Sequence, residues 1–593
     1  MKKSILKMFA VASLVAVGVQ NSEAQNQNNL GAACGCPPVN TRTLKDLSAA
    51  EFSTGGGVLD VNTNTVLTCQ FNYLIKQKIY VPTGKTITIE PGTVILGRDL
   101  GAPGAGAASA LIIERGGKII APGLEECPIV FTAAKDILTA APDNAANNIL
   151  GDLSTDGNNT NTSTGTTGGL WGGVAICGKA TNNLLTSPSS PNNDAGLQIA
   201  GQPAGTGAVE GISNAEADSR TWFGGTDDND NSGIMRYCSI RHAGDIISAG
   251  NELNSLTLAS VGRGTTIDHI EIISAGDDGI EVFGGTVNLK YISMLWGDDD
   301  GLDWDLGWKG NVQFLFVLNR QNNNGANPLN NIVDNGIEAD ADDNVTNTTF
   351  RSHPKIYNGT FIGSNQTAVA ADNTGDAGFN FKERTEGEVY NCIVANYNRG
   401  VVIDKVKTSR TGGPNNEAYH NWQAGFTGTS GSLIVKCNTF VNCSIPLAIE
   451  DNANYTNIIT TGLDDTKFAA DGNVVVLAGG TPGSGLAGFD YIYNMNFSTN
   501  TIVSNDKFDA VPSTPADVST SCAVPLSDPF FNLAPYRGAF RPGQKSWLSE
   551  WAILNIINAT TGVIPCPTDI NLDGTTNNAD FLQLLGEFNQ ACD

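Results

Sequence analysis

The chain has 593 residues, with 34 Lys and Arg against 60 Asp and Glu and a formal net charge of −26. That balance excludes a surface built for nucleic-acid backbones, which needs a basic stripe, and it suits the binding of cations such as Ca2+. With 68 Gly and 62 Asn, both tolerant of positive φ, many tight turns are expected and a helical bundle is excluded, while 40% hydrophobic residues suffice for a core.

Residues 1–24 read as an export signal. Lys2, Lys3 and Lys7 precede an apolar run from Met8 to Val19, and Ser22-Glu23-Ala24 supplies small residues for cleavage. The run is too short to span a bilayer, and no later stretch of about 18 apolar residues follows. The expected location is therefore extracellular or at the outer cell surface. All 12 Cys lie beyond this signal, and an even count in an exported chain favours disulfides. Pairing is not legible, although Cys566 and Cys592 bracket one small module. Cys34-Gly35-Cys36 has the look of half a zinc site without a second half.

Beyond the N-terminal segment (25–70), short strand-like runs appear at Thr86–Ile89, Leu111–Ile113, Lys118–Ile120 and Ile129–Phe131. Residues 136–210 are rich in Asn, Gly, Ser and Thr around one apolar run, Leu170–Ile176, and read as long loops set on a solenoid. Thr226 to Gly233 is a dense oxygen cluster in which Asp227, Asp228 and Asp230 are candidate Ca2+ ligands. After the strand-like Met235–Ile240, Arg241-His242 is a candidate catalytic pair, with a structural hydrogen bond as the plainer alternative.

One pattern then recurs: a polar turn, a Gly, and an apolar-polar-apolar triplet. Its copies start at Asp277, Asp299, Asp334, Asp376 and Asn398. Gly279 to Gly301 and Gly378 to Gly400 are each 22 residues apart; the gaps 301–336 and 336–378 are 35 and 42, and Ser255–Leu258 is a weaker copy 24 residues upstream of Gly279. A period in the low twenties with alternating strands predicts a parallel β-helix. With Ile280 and Val282 inward, Glu281 points outward, and Asp303 stacks on it one coil later at ~4.8 Å. Asp278 and Asp300 pair likewise at the turn. Like charges so close need a cation, a raised pKa or separation into solvent; a raised pKa would suit a general acid. A second outward column would hold Phe283, Asp305, Asp340, Lys382 and Asp404. Trp296, Trp304 and Trp308 are candidates for a sugar-stacking platform, with Trp304 expected in the core.

At the C-terminus, residues 569–580 form a 12-residue loop with Asp569, Asn571, Asp573, Asn577 and Asp580 at ligating positions, Thr575 offering its carbonyl, and Gly574 at the bend. Phe581, Leu584, Leu585 and Phe588 then share one helical face. The loop resembles a dockerin-type calcium repeat, present here once, so a cohesin-like partner would engage residues 566–593.

Several stretches resemble a group of secreted β-helix proteins common in Bacteroidetes-type genomes: Asn29 to Pro38, Glu90 to Gly97, Leu170 to Ala180, Phe223 to His242, Val261 to Tyr291 and Tyr536 to Phe540. The resemblance implies a right-handed parallel β-helix. Against β-helix polygalacturonases, Gly276-Asp277-Asp278 matches one motif, while the Gly-His-Gly and Arg-Ile-Lys motifs are missing.

The sequence therefore predicts an all-β, right-handed parallel β-helix with long loop insertions and a small EF-hand-like, dockerin-like C-terminal module. The expected organisation is 1–24 signal peptide, 25–70 N-terminal cap, 71–135 first coils, 136–210 insertion, 211–545 main β-helix and 546–593 calcium module. The leading function is extracellular Ca2+-dependent binding or adhesion, to a glycan or cell-surface component. The rivals are a polysaccharide lyase or glycoside hydrolase using Glu281, Asp303, Asp278 and Asp300 with Arg241, His242 or Lys382, and a scaffold subunit docked through its C-terminus.

Overall fold

The computed structural model describes residues 30–552 apart from 61–62, 99–108, 135–167, 185–197, 200, 213–217, 249–250, 320–334, 342–349, 364–376, 406–417, 424–431, 451–461, 477–494, 497–500, 503–527, 542–545 and 549–550. Residues 1–24, expected as an export signal, the 569–580 loop and Cys566 and Cys592 lie outside the described residues.

Among the described residues the chain winds into a parallel β-helix made of one 17-stranded and one 12-stranded sheet. Each coil lays a short strand into the 12-stranded sheet, turns, and lays a longer, bent strand into the other. The recurring glycine pattern is the start of the short strand. Leu256, Ile280, Leu302, Ile337, Phe379, Val401 and Leu447 are consecutive register partners, all buried in one core that runs from Leu47 to Phe468. Because Leu302 pairs directly with Ile337, and Ile337 with Phe379, the long gaps are insertions within coils and hide no extra coil.

The glycines are dictated by close approach. A Cβ on Gly279, Gly301, Gly336 or Gly378 would lie 2.7 Å from the carbonyl oxygen of the next glycine in the ladder. Any side chain there must push apart two stacked turns.

The long strands bend at a second ladder. Tyr237, His269, Tyr291, Phe314, Asn358, Asn391 and Cys437 all take left-handed φ, between 46° and 62°, and each sits between two register-paired segments. The strain costs about 1–2 kcal/mol per residue. Stacking of the rings it turns outward offsets part of it: Tyr237 on His269 at 4.3 Å, His269 on Tyr291 at 4.4 Å and Tyr291 on Phe314 at 4.8 Å.

A strap built from residues 528–541, 546–548 and 551–552 covers this corner. Asn532 N–H donates to Gln313 Oε1 at 2.8 Å, Arg537 donates to the Asn438 carbonyl at 2.9 Å, and Trp551 sets its ring edge on Tyr237 at 5.5 Å. Residues 546–552, expected in the C-terminal module, thus belong in part to the solenoid surface. At the other end, Cys34–Cys127 and Cys36–Cys69 staple the N-terminal segment to the first coils. Both cysteines of Cys34-Gly35-Cys36 are consumed in this way, which overturns the half-zinc-site reading. The short strands Gly207–Ala208 and Trp222–Phe223 pair antiparallel, so the insertion runs past residue 210 and the solenoid resumes at the strand Gly233–Arg241.

Gly301→Ala is expected to cost about 1–3 kcal/mol through overpacking against backbone. At Gly297 the nearest atom would lie 3.7 Å from an added Cβ, so Gly297→Ala should change stability by less than about 0.5 kcal/mol; chemical denaturation compares the two. Trp551→Ala should cost about 3–5 kcal/mol by the same measurement.

Candidate functional site

The outward positions of the short strands form the columns expected from the repeat. Glu281, Asp303, Glu338 and Asn380 are register partners. Phe283 and Asp305 are also paired, and Asp340, Lys382 and Asp404 follow residues that are in register. At the preceding turn the side chains of Asp278, Asp300 and Asn335 form a third ladder. Asp278 Oδ1 accepts from Asp300 N–H at 3.0 Å, Asp300 Oδ1 accepts from Asn335 N–H, and Asn335 Oδ1 accepts from Ala377 N–H at 3.2 Å.

Where these columns meet, carboxylate oxygens of Asp278, Glu281 and Asp303 lie within 4.8 Å of one another, and those of Asp277, Asp278 and Asp299 do the same. Asp277, Asp278 and Glu281 are buried. Two unit charges at such a separation repel by about 3 kcal/mol at an effective dielectric of about 20. Burial, reinforced by the neighbouring acids, accordingly raises Asp278, Glu281 and Asp303 well above the ordinary carboxylate range. For Glu281 the largest neighbouring charge is Glu210, delivered by the insertion. Burial also raises Asp300, against the opposing pull of Lys382.

The surrounding polar atoms are short of partners. Asn254 donates its amide N–H to Glu281 Oε2, while Asn254 Oδ1, Thr257 Oγ1, Asp303 Oδ1 and Asn380 Oδ1 are buried without a hydrogen bond. A set of hard oxygens with unmet valence fits Ca2+, which takes about 6–8 oxygen ligands.

Two of the candidate cations are paired within the chain. Lys382 is ion-paired with Glu338, which also accepts from Asn335 Nδ2 at 3.2 Å. Arg241 belongs to the other sheet, where its Nε donates to Ser239 Oγ at 2.8 Å and Ser239 in turn donates to Glu271 at 2.7 Å. His242 is fully buried beside it at a left-handed bend. The structure thus brings Glu281, Asp303, Asp278 and Asp300 together with Lys382 beside them, while Arg241 is engaged with Ser239 and Glu271 on the other sheet.

The turn at 227–230 is engaged by the chain's own donors. Asp228 Oδ1 accepts from Thr181 Oγ1 at 2.6 Å, Asp227 Oδ1 from Asn229 N–H at 3.1 Å and Asp230 Oδ2 from Ser232 Oγ at 3.1 Å. These carboxylates are separated into turn contacts and are not gathered around a common point. Trp296, Trp304 and Trp308 are all buried, which removes the expected stacking platform: the rings fill the solenoid core and its turns. The loop expected to bind Ca2+, with Asp569, Asn571, Asp573, Thr575, Asn577 and Asp580, lies outside the described residues.

Sequence reasoning missed Glu338, Asp277, Asp299, Asn254 and Glu210 as site members. Glu338 had a signal, since it occupies the repeat position of Glu281 and Asp303. Asn254 and Glu210 had none, because a turn and an insertion carry them.

No helix among the described residues is long and apolar enough to cross a membrane. No curated protein matches the chain. The family described as the pectate-lyase-like β-helix domain matches residues 59–154 and 159–430, which include the acidic turns above and the short strands from Leu256 to Val401. The winding of the coils and this match agree, and the chain belongs to the pectate-lyase-like β-helix domain family.

Proposed function

We propose that this protein is an exported, Ca2+-dependent binder of acidic glycans, acting outside the cell or on its surface. The observation that carries the reading is the convergence of Asp278, Glu281 and Asp303 within 4.8 Å, beside buried oxygens that lack partners. A Ca2+ ion held there neutralises the cluster and keeps coordination positions for a carboxylate of the glycan. The family name supports a polyuronate such as pectate as the ligand class, and the two disulfides support export. The 569–580 loop would hold a further Ca2+, and residues 566–593 would serve a cohesin-like or other protein partner.

The rival is lyase chemistry, favoured by the family match and by Lys382 standing beside Asp300 and Asp303. A lyase needs a base to take the proton next to the uronate carboxylate. Lys382 is committed to Glu338, so binding is the preferred reading.

Four measurements test these statements. EDTA should lower the melting temperature and Ca2+ restore it; unchanged melting in both would remove the metal from the site and from the terminal loop. Glu281→Gln with Asp303→Asn should abolish Ca2+-dependent polygalacturonate binding in calorimetry. Ultraviolet-absorbing unsaturated products from the native protein, lost in that double variant, would establish the lyase instead.

The fourth measurement is of pH. Because the folded protein raises Asp278, Glu281 and Asp303, it binds more protons than the unfolded chain at pH values above the ordinary carboxylate range. In EDTA, stability should therefore fall as pH rises from about 4 through the raised values. Ca2+ should flatten that slope, as should Glu281→Gln with Asp303→Asn. Glu450, pushed up to about 8 by burial and by Asp404, slopes the same way and should persist in both cases.

A further inference from the structure

The outward positions of the short-strand sheet are not uniformly open. In the coils before the acidic cluster they are covered. Ile112, Ala175 and Ala259 pack under Leu184, Ile199 and Phe223 of the insertion, and Thr257 is 1% exposed. Phe283, beside Glu281, is capped by the Phe223 ring at 6.3 Å. Past the cluster the face closes again. Val402 and Ala448 pack with Ala377, Asp404 and Glu450 are each 2% exposed, and Glu450 is locked to Arg399 at 2.7 Å. The short helix Ala418–Trp422 packs against the strand Arg399–Asp404. One flank is also closed, because Asn183 of the insertion donates to the carbonyls of Ala341 and Phe350.

Only Asp303 and Asp305, Glu338 and Asp340, and Lys382 remain partly exposed along these columns. They occupy three successive coils, and three coils at ~4.8 Å span about 14 Å. Glu281, at 7% exposed, and the unpartnered Asn380 Oδ1 sit at the two ends. A pyranose ring with its linkage occupies about one coil spacing along the axis, so the opening has room for about three sugar residues.

We propose that this opening is a closed-ended slot, which receives the terminus of an acidic glycan chain or a short oligomer of about three residues and excludes internal stretches of long chains. The proposal rests on the acidic-glycan reading above and adds the form of ligand. An internal stretch would have to continue past Phe223 and Phe283 at one end or past Val402 and Ala448 at the other, and both ends are filled by packed side chains.

The test uses the full-length native protein with Ca2+ and a calorimetric series of oligogalacturonates from one to six residues, alongside neutral oligosaccharides of equal length. Affinity per mole of chain should rise up to about three residues and then level off. Long polygalacturonate should bind in proportion to its chain ends, so partial depolymerisation at constant uronate mass should raise the bound capacity several-fold. Affinity that keeps rising to six residues, or many proteins bound along each long chain, would overturn the slot and leave the acidic-glycan reading standing. Absence of binding at every length, with Ca2+ still bound, would overturn both.

Discussion

Main-chain hydrogen bonding between parallel coils is the constraint on which the rest of this molecule depends. It sets residues that are 22 or more positions apart in sequence at a fixed, short separation, and it repeats that placement along the axis. Ile280 and Leu302 become core neighbours for this reason, and Glu281 and Asp303 become surface neighbours. The same bonding demands glycine where two turns touch, as at Gly279 and Gly301. It also forces left-handed backbone on seven non-glycine residues at the corner, which outward stacking and the strap then stabilise.

The acidic face follows from that geometry. Stacked carboxylates in a half-buried face are held at high electrostatic energy, and the chain answers in two different ways. At Glu338 it supplies its own cation, Lys382. At Asp278, Glu281 and Asp303 it supplies further oxygens, from Asn254 and the neighbouring turns, while Lys382 acts on Asp303 from its pairing with Glu338.

Much of this was legible in the residues. The period and the apolar-polar-apolar triplets gave the solenoid, and alternation alone put Glu281, Asp303, Asp305, Asp340 and Lys382 on the outer face. The turn aspartates fell into line with the glycines. Other features left no such trace. Trp296 and Trp308 look like surface aromatics beside acidic turns, yet large rings fill the wide interior of the coil. Glu210 and Phe223 reach the site from an insertion that has no period to betray its path, and the strap residues Trp547 and Trp551 lie in a segment with no repeat. The disulfides Cys34–Cys127 and Cys36–Cys69 join sites 93 and 33 residues apart, a pairing that depends on which coils the N-terminal segment crosses.

The strap has a consequence for how the molecule is held. It runs along the corner from Phe531 beside Tyr357, reaches the late coil at Asn438, and turns back until Trp551 rests on Tyr237 and His269. Trp551 therefore ends the strap on the flank of the coils, beside the bend at Tyr237 and His269. Removing the strap would bare the bends of several coils at once, from Tyr237 to Asn438.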